Sequence, residues 1–117
     1  MTFKESLDFE TRRCESERMR SKFPDRIPVV VERCKSSQVL AQVKPKFLAP
    51  KTLTVGQFMF IIKTRLKMSS DQALYLLAND SVLICSSSLM RTVYEQNCDK
   101  DGFLYITYSV EDTFGTF

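Results

Sequence analysis

The residues of this chain best placed to do chemistry lie at its C-terminus. The stretch Phe103-Leu-Tyr-Ile-Thr-Tyr-Ser-Val-Glu-Asp-Thr-Phe-Gly115-Thr-Phe117 opens as a strand and ends with a glycine two residues from the last position. Phe103, Tyr105 and Thr107 fall on one face, Leu104, Ile106 and Tyr108 on the other. Aromatic and β-branched residues on both faces suit a central strand covered on both sides. Ser109, Glu111, Asp112 and Thr113 follow as a polar exit with nothing to bury. Gly115 then has two readings. It is punctuation in a fraying terminus, or it is an acyl donor whose carbonyl, with no side chain beside it, enters a narrow active-site channel.

Other chemistry finds little support. The chain has no histidine, so a Cys/His nucleophile has no base. Cys14, Cys34, Cys85 and Cys98 are widely spaced and form no CxxC pair, which argues against a zinc site. These four are expected to be reduced and partly buried. No helix or strand reading brings two carboxylates into one pocket. The chain therefore reads as something acted upon or bound, with no metal and no cofactor, rather than as an enzyme.

At 117 residues the chain is long enough for one domain with one core. No apolar run approaches the roughly 20 residues that span a bilayer. Met1-Thr-Phe-Lys-Glu-Ser6 has no apolar signal region, which predicts a cytoplasmic protein. The net charge of +3 hides an asymmetry: residues 1–67 carry 15 Lys/Arg against 7 Asp/Glu, residues 68–117 carry 2 against 7. A basic half fits nucleic acid, a membrane surface or acidic peptides. No RNA-binding or helix-turn-helix motif accompanies it, so a nucleic-acid partner is not expected.

The elements that must position the terminal strand follow from pattern. Residues 4–22 read as a polar surface helix, supported by charge pairs at helical spacing: Asp8 with Arg12, Glu10 with Arg13, Glu15 with Arg18. Ser6 or Asp8 is a natural break into two pieces. Pro24 and Pro28 stop the helix. Val29–Cys34 is a β-branched strand, Lys35–Gln38 a turn, and Lys46–Pro50 a short strand antiparallel to the first. Pro45 and Pro50 donate no ladder hydrogen bonds, which marks that strand as an edge. Thr54 caps the main helix, whose Val55, Phe58, Met59, Ile62 and Leu66 form a core stripe. Ala73–Ala78 is a third strand, Asn79-Asp80 a turn, and residues 88–97 a short capped helix with Leu89, Val93 and Tyr94 inward. The order predicts an α+β fold, a β-grasp with a four-stranded mixed sheet and two additional N-terminal helices. The first and last strands run parallel at its centre. Residues 1–24 would form the helical extension, 25–109 the core, and 110–117 a flexible tail.

Several stretches together resemble one family. They are Phe23-Pro-Asp-Arg-Ile-Pro-Val-Val-Val-Glu-Arg33, Lys46-Phe-Leu-Ala-Pro50, Leu53-Thr-Val-Gly-Gln-Phe58, Asp101-Gly-Phe-Leu-Tyr-Ile-Thr-Tyr-Ser109 and the ending Thr-Phe-Gly115. The chain resembles the autophagy ubiquitin-like modifiers, of the GABA-receptor-associated protein and microtubule-associated light chain 3 type, over nearly its whole length. The resemblance implies cleavage after Gly115 by a processing cysteine protease, with Thr116 and Phe117 as propeptide. ATP-dependent activating and conjugating enzymes would then join Gly115 to phosphatidylethanolamine on the autophagosome membrane. It also implies an adaptor that binds cargo and autophagy receptors carrying aromatic-x-x-aliphatic motifs, by strand addition at Lys46–Pro50. The aromatic pocket would be lined by Glu15, Met19, Pro28, Val30, Lys46, Leu48 and Phe103. The aliphatic pocket would be lined by Phe47, Ala49, Pro50, Leu53, Phe58 and Ile61, with plain core packing the other reading of Leu53 and Phe58. Arg26, Lys46 and Arg65 would meet acidic residues flanking the motif. Ala49 stands where a larger aliphatic residue is usual, and Met19 where a branched one is. Pro45 interrupts a usually basic run, and Val82–Cys85 lacks the usual paired prolines. The alternative is a non-conjugated trafficking or cytoskeletal binding module, which has no need of Gly115.

Overall fold

A computed structural model describes residues 2–34 and 46–112. The Lys35–Gln38 turn, Pro45, Thr113 and Gly115–Phe117 lie outside the described residues. The elements are α1 (Phe3–Ser6), α2 (Phe9–Lys22), β1 (Arg26–Arg33), β2 (Lys46–Pro50), α3 (Val55–Leu66), β3 (Gln72–Ala78), β4 (Val82–Leu83), α4 (Met90–Asn97) and β5 (Leu104–Asp112). The sheet runs β2-β1-β5-β3-β4, with β1 and β5 parallel and every other pair antiparallel. This is the expected β-grasp with one strand more than expected. β4 is only two residues long, pairing Leu83 with Leu77 and Val82 with Ala78, too short to leave an alternating pattern. Asn79 and Asp80 turn the chain into it with φ of 53° and 61°, a left-handed region that Asn and Asp enter more readily than most residues.

The terminal strand departs from expectation at its far end. β5 continues through Ser109 to Asp112, because β3 offers partners that far: Leu74 faces Val110 and Gln72 faces Asp112. The polar exit is therefore paired backbone, and the sheet, not a loose tail, holds residues 110–112.

Most of the apolar core lies on one face of the sheet. Val29 and Val31 of β1, Leu104, Ile106 and Tyr108 of β5, and Leu74 and Leu76 of β3 meet Val55, Phe58, Ile62 and Leu66 of α3. Met59 of the expected stripe packs at its margin. Each such side chain, fully buried, contributes roughly 1.5–3 kcal/mol. Thr54 caps α3 as expected, in a reciprocal arrangement with Gln57. α4 departs from expectation. Leu89 is its N-cap and makes no side-chain capping bond, and Met90 rather than Leu89 joins Val93 in the core. The start of α4 is held instead by backbone bonds to the α3 entry, Met90 N–H to Leu53 O at 2.8 Å and Val55 N–H to Ser88 O at 2.8 Å.

The other face carries a smaller cluster of Val30, Phe103 and Tyr105, covered by Phe3 and Met19. α2 docks there by one thin edge, with Ser16 its only buried residue. Asp8 does separate two helical pieces: its side chain accepts from Thr11 N–H and begins α2. The expected ion pairs rearrange around this docking. Glu10 keeps Arg13, but Arg12 turns to Asp101 and Glu15 to Lys46. For Arg12 a buried carboxylate, and for Asp8 a capping role, outcompetes the solvated neighbour on the same helix. No disulfide joins the four cysteines, and Cys14, Cys85 and Cys98 are exposed rather than partly buried, since they stand on helix α2's outer side or in turns.

Close approach of α2 to the sheet requires a glycine at 102. Its φ is +93°, and an added Cβ would collide with Ser16 Oγ. Gly102→Ala is expected to cost about 2 kcal/mol, from backbone strain and displacement of α2. Gly56→Ala, where the added carbon would meet Ser86 O at 3.3 Å with no positive φ, should cost less. Urea unfolding of both checks this, and equal midpoints would contradict it.

Candidate functional site

β2 is the edge of the sheet. Its register on β1 pairs Arg26 with Pro50, Pro28 with Leu48 and Val30 with Lys46. Alternation along the strand then sends Lys46 and Leu48 to the α2 face, and Phe47 and Ala49 to the α3 face. Apart from Pro50, which ends the strand with the same parity as Lys46 and Leu48, the strand residues expected to form two pockets are sorted in this way to opposite faces of one edge.

On the α2 face, Val30 and Phe103 are wholly buried and form a floor. Pro28 is buried beside them, while Met19 and Leu48 are half-buried. Lys46 and Glu15 form an ion pair above, joining the strand edge to α2. Phe3, absent from the expected set, lies on the same floor, edge-to-face with Phe103 at 5.2 Å between ring centroids. The Lys46 ammonium sits 6.0 Å from the Phe3 ring. A phenylalanine in an otherwise polar opening, directly after a capping threonine, is the signal that could have found it.

On the α3 face, Phe47 stands edge-to-face with Phe58 at 5.6 Å. Phe58 is 1% exposed and Ala49 is 3% exposed, so both belong to the core that underlies this face. Leu53 and Ile61 are half-buried and Pro50 is exposed at the strand end. Core packing is therefore what Phe58 does in this structure, whereas Leu53 retains an accessible side. The Arg65 guanidinium lies over the Phe47 ring, 4.6 Å from its centroid. Expected as a partner for acidic flanks, it is thus also a cation–π lid on the apolar patch. Arg26 is exposed at the start of β1.

A buried polar knot fixes the α2 wall of this site, and no local pattern marks it, because it joins α2 to a residue more than 80 positions away. Asp101 is wholly buried. Its carboxylate accepts from Arg12 at 2.8 Å, from the Tyr105 hydroxyl at 2.5 Å and from Phe103 N–H at 2.9 Å. Its carbonyl accepts from Ser16 Oγ. Burial first, then the bond to Asp101, pushes the Tyr105 phenol far above its ordinary value, so it stays a neutral donor. The bond to Tyr105 leads the influences that raise Arg12. Beside the knot, Lys4 pairs with Asp99 at 2.8 Å and lies 4.5 Å over the Tyr105 ring. Burial works to raise Asp99, but the Lys4 bond and Asp101 N–H hold it below the usual carboxylate range. Its stabilising contribution is therefore complete above the unfolded pKa of about 3.9 and fades as pH falls through the lower folded value.

Asp101→Ala would strand Arg12 beside a desolvated hydroxyl. Breaking a buried pair from one side costs about 3 kcal/mol. Urea unfolding should register that loss, and amide exchange should quicken in α2 more than in α3. Wild-type exchange in α2 would mean that the knot does not anchor the helix.

Comparison with known proteins gives a single answer. The family model described as "Autophagy protein Atg8 ubiquitin like" matches residues 11–115. Autophagy-related protein 8 of Schizosaccharomyces pombe is 48% identical over 114 residues, covering 97% of this chain and 93% of the relative. Autophagy-related protein 8e of Arabidopsis thaliana is 50% identical over 113 residues, covering 97% and 92%. The crystal structure of Trypanosoma brucei ATG8 superposes with a TM-score of 0.89 at 37% identity, covering 98% of each chain. With its β-grasp, two-faced strand edge and near-terminal Phe-Gly, the chain belongs to the Atg8 family of ubiquitin-like autophagy modifiers.

Proposed function

We propose that the chain is processed after Gly115 and joined through that residue to phosphatidylethanolamine, and that once on the autophagosome membrane it captures receptors by their aromatic-x-x-aliphatic motifs. A cysteine protease removes Thr116 and Phe117. Activating and conjugating enzymes of the ubiquitin-like kind then transfer the glycine acyl group to the lipid amine. The unconjugated form is cytoplasmic. A glycine at this position is what such a transfer needs, because any Cβ would narrow the approach to the carbonyl.

The observation that carries the peptide-binding half is the placement of β2. Among the described residues it has a strand partner on one side only, and it carries half-buried Leu48 on one face and half-buried Phe47 on the other. An extended peptide adds to such an edge through backbone bonds and is read by side chains at alternating positions. Its aromatic residue enters between Met19, Pro28 and Leu48, over Val30 and Phe103. There it meets Phe3 and the Lys46–Glu15 pair, which share the space. Its aliphatic residue packs on Phe47, Leu53 and Ile61, over Ala49 and Phe58. Lys46, Arg26 and Arg65 favour acidic flanks. The basic excess of residues 1–67 supports the same preference.

Gly115→Ala should leave the fold intact and abolish both tail cleavage and lipid attachment. The lipidated band from starved cells tests this, and normal lipidation of the variant would remove the acyl-donor role and leave a non-conjugated binding module. Leu48→Ala should keep strand addition but lose pocket packing, costing roughly 2 kcal/mol, about thirtyfold in affinity. Arg65→Ala, at an exposed rim, should cost about 1 kcal/mol or less and flatten the salt dependence. Titration of an aromatic-x-x-aliphatic peptide with acidic flanks, at low and high salt, sets the order. A greater loss for Arg65→Ala at physiological salt would contradict the pocket assignment.

A further inference from the structure

A basic cleft lies around the end of the sheet from the peptide edge. Arg20 near the C-terminus of α2, Arg26 at the start of β1, Lys51 just after β2, and Arg91 in the first turn of α4 line one cleft of about 450 Å³. Tyr94 and Glu95 of α4 complete its polar lining. Four cations from four separate segments thus face one carboxylate, an excess of three positive charges around a space large enough for a phosphate-bearing group.

Three features of the chain make this arrangement hard to assign to folding. First, none of the four cations is a member of the ion pairs found among the described residues, which join Lys4, Arg12, Arg13 and Lys46 to their carboxylates. Arg20 lies against the Tyr94 hydroxyl, where burial raises the phenol pKa more than the guanidinium lowers it, and that hydroxyl itself donates to Gly102 O at 2.6 Å. Second, Arg91 stands at the positive end of α4, whose first turn carries no acidic residue. A cation there opposes the helix dipole, so it weakens the helix rather than supporting it. Third, residues 68–117 contain only two cations, Arg91 and Lys100. One of the two is placed opposite the basic half, where it adds to the field rather than balancing it. Like charges gathered at one cleft repel unless an anion joins them.

We infer that this cleft binds a phosphate monoester or polyphosphate, a group carrying two or more negative charges, held by the guanidiniums of Arg20, Arg26 and Arg91 and the ammonium of Lys51. Guanidiniums match phosphate oxygens with paired hydrogen bonds, and Lys51 supplies a point charge. A singly charged carboxylate would leave most of the excess uncompensated. The chemistry is shared by two sources, a phosphorylated lipid headgroup at a membrane and a soluble polyphosphate. Arg26 sits between this cleft and the peptide edge, so the test leaves it unaltered.

The test uses the unconjugated chain. Pyrophosphate binding is measured by calorimetry at moderate salt for wild type, Lys51→Gln, Arg91→Gln and a control, Lys63→Gln on exposed α3. Lys51, Arg91 and Lys63 are exposed, so thermal melts without ligand should coincide. Each cleft variant should lose affinity about tenfold, the double variant should lose measurable binding, and the control should match wild type. Co-sedimentation with vesicles containing phosphatidic acid, against vesicles of equal charge containing phosphatidylserine, separates the sources. Cleft-dependent preference for phosphatidic acid supports a headgroup ligand; pyrophosphate binding without vesicle binding supports a soluble one. Equal losses in Lys63→Gln and the cleft variants, or no pyrophosphate binding by wild type, would overturn the proposal.

Discussion

The parallel pairing of β1 with β5 is the constraint on which the rest of this structure depends. Its register sets Val29 against Leu104, Val30 against Tyr105 and Val31 against Ile106. Parallel strands cannot be joined by a tight turn, so everything between them has to travel around the sheet. That excursion supplies β2, α3, β3, β4 and α4. The register also decides which face each side chain serves. Val29 and Val31 go with Leu104 and Ile106 into the core under α3, while Val30 goes with Tyr105 and Phe103 to the face that α2 covers. A slip of one residue would exchange the two sets.

The two faces are held by different physics. Under α3 the forces are apolar and non-directional: a continuous stripe of buried aliphatic and aromatic groups. Under α2 the apolar contribution is small, and the helix is located by the Asp101 knot with Arg12, Tyr105 and Ser16. A buried ion pair is a poor source of net stability, since desolvation offsets most of the attraction. Its value here is directional. It places Glu15 and Met19 above the edge of β2, where Lys46 and Leu48 look up from the strand. A helix with almost no apolar stripe could not be oriented as narrowly by burial.

Charge is distributed along the same lines. The basic residues of the first half meet their carboxylate partners where they build the α2 wall, at Arg12, Arg13 and Lys46. Arg65 lies on an aromatic ring. Arg20, Arg26 and Lys51 gather at the end of the sheet with Arg91. A single figure for net charge conveys none of this partition.

The sequence by itself determined the β-grasp, the core stripe of α3, the Thr54 cap and the edge character of β2. Each rests on local pattern: period, capping chemistry and proline positions, which act within a few residues of one another. Both readings of Gly115 were also legible, although that residue lies outside the described part of the structure. Tertiary structure decided what depends on partners distant in the chain. β5 runs on to Asp112 because β3 is there to pair with it. Arg12 keeps a bond to the Asp8 carbonyl but forms its ion pair with Asp101, 89 residues away, because that carboxylate is buried and in reach. Phe58 packs into the core with Phe47 edge-on against it, and Phe3 joins the aromatic floor because α1 folds back onto Phe103. Periodicity reports which face of an element is apolar, but not what lies against that face. That is settled by packing among elements far apart in sequence.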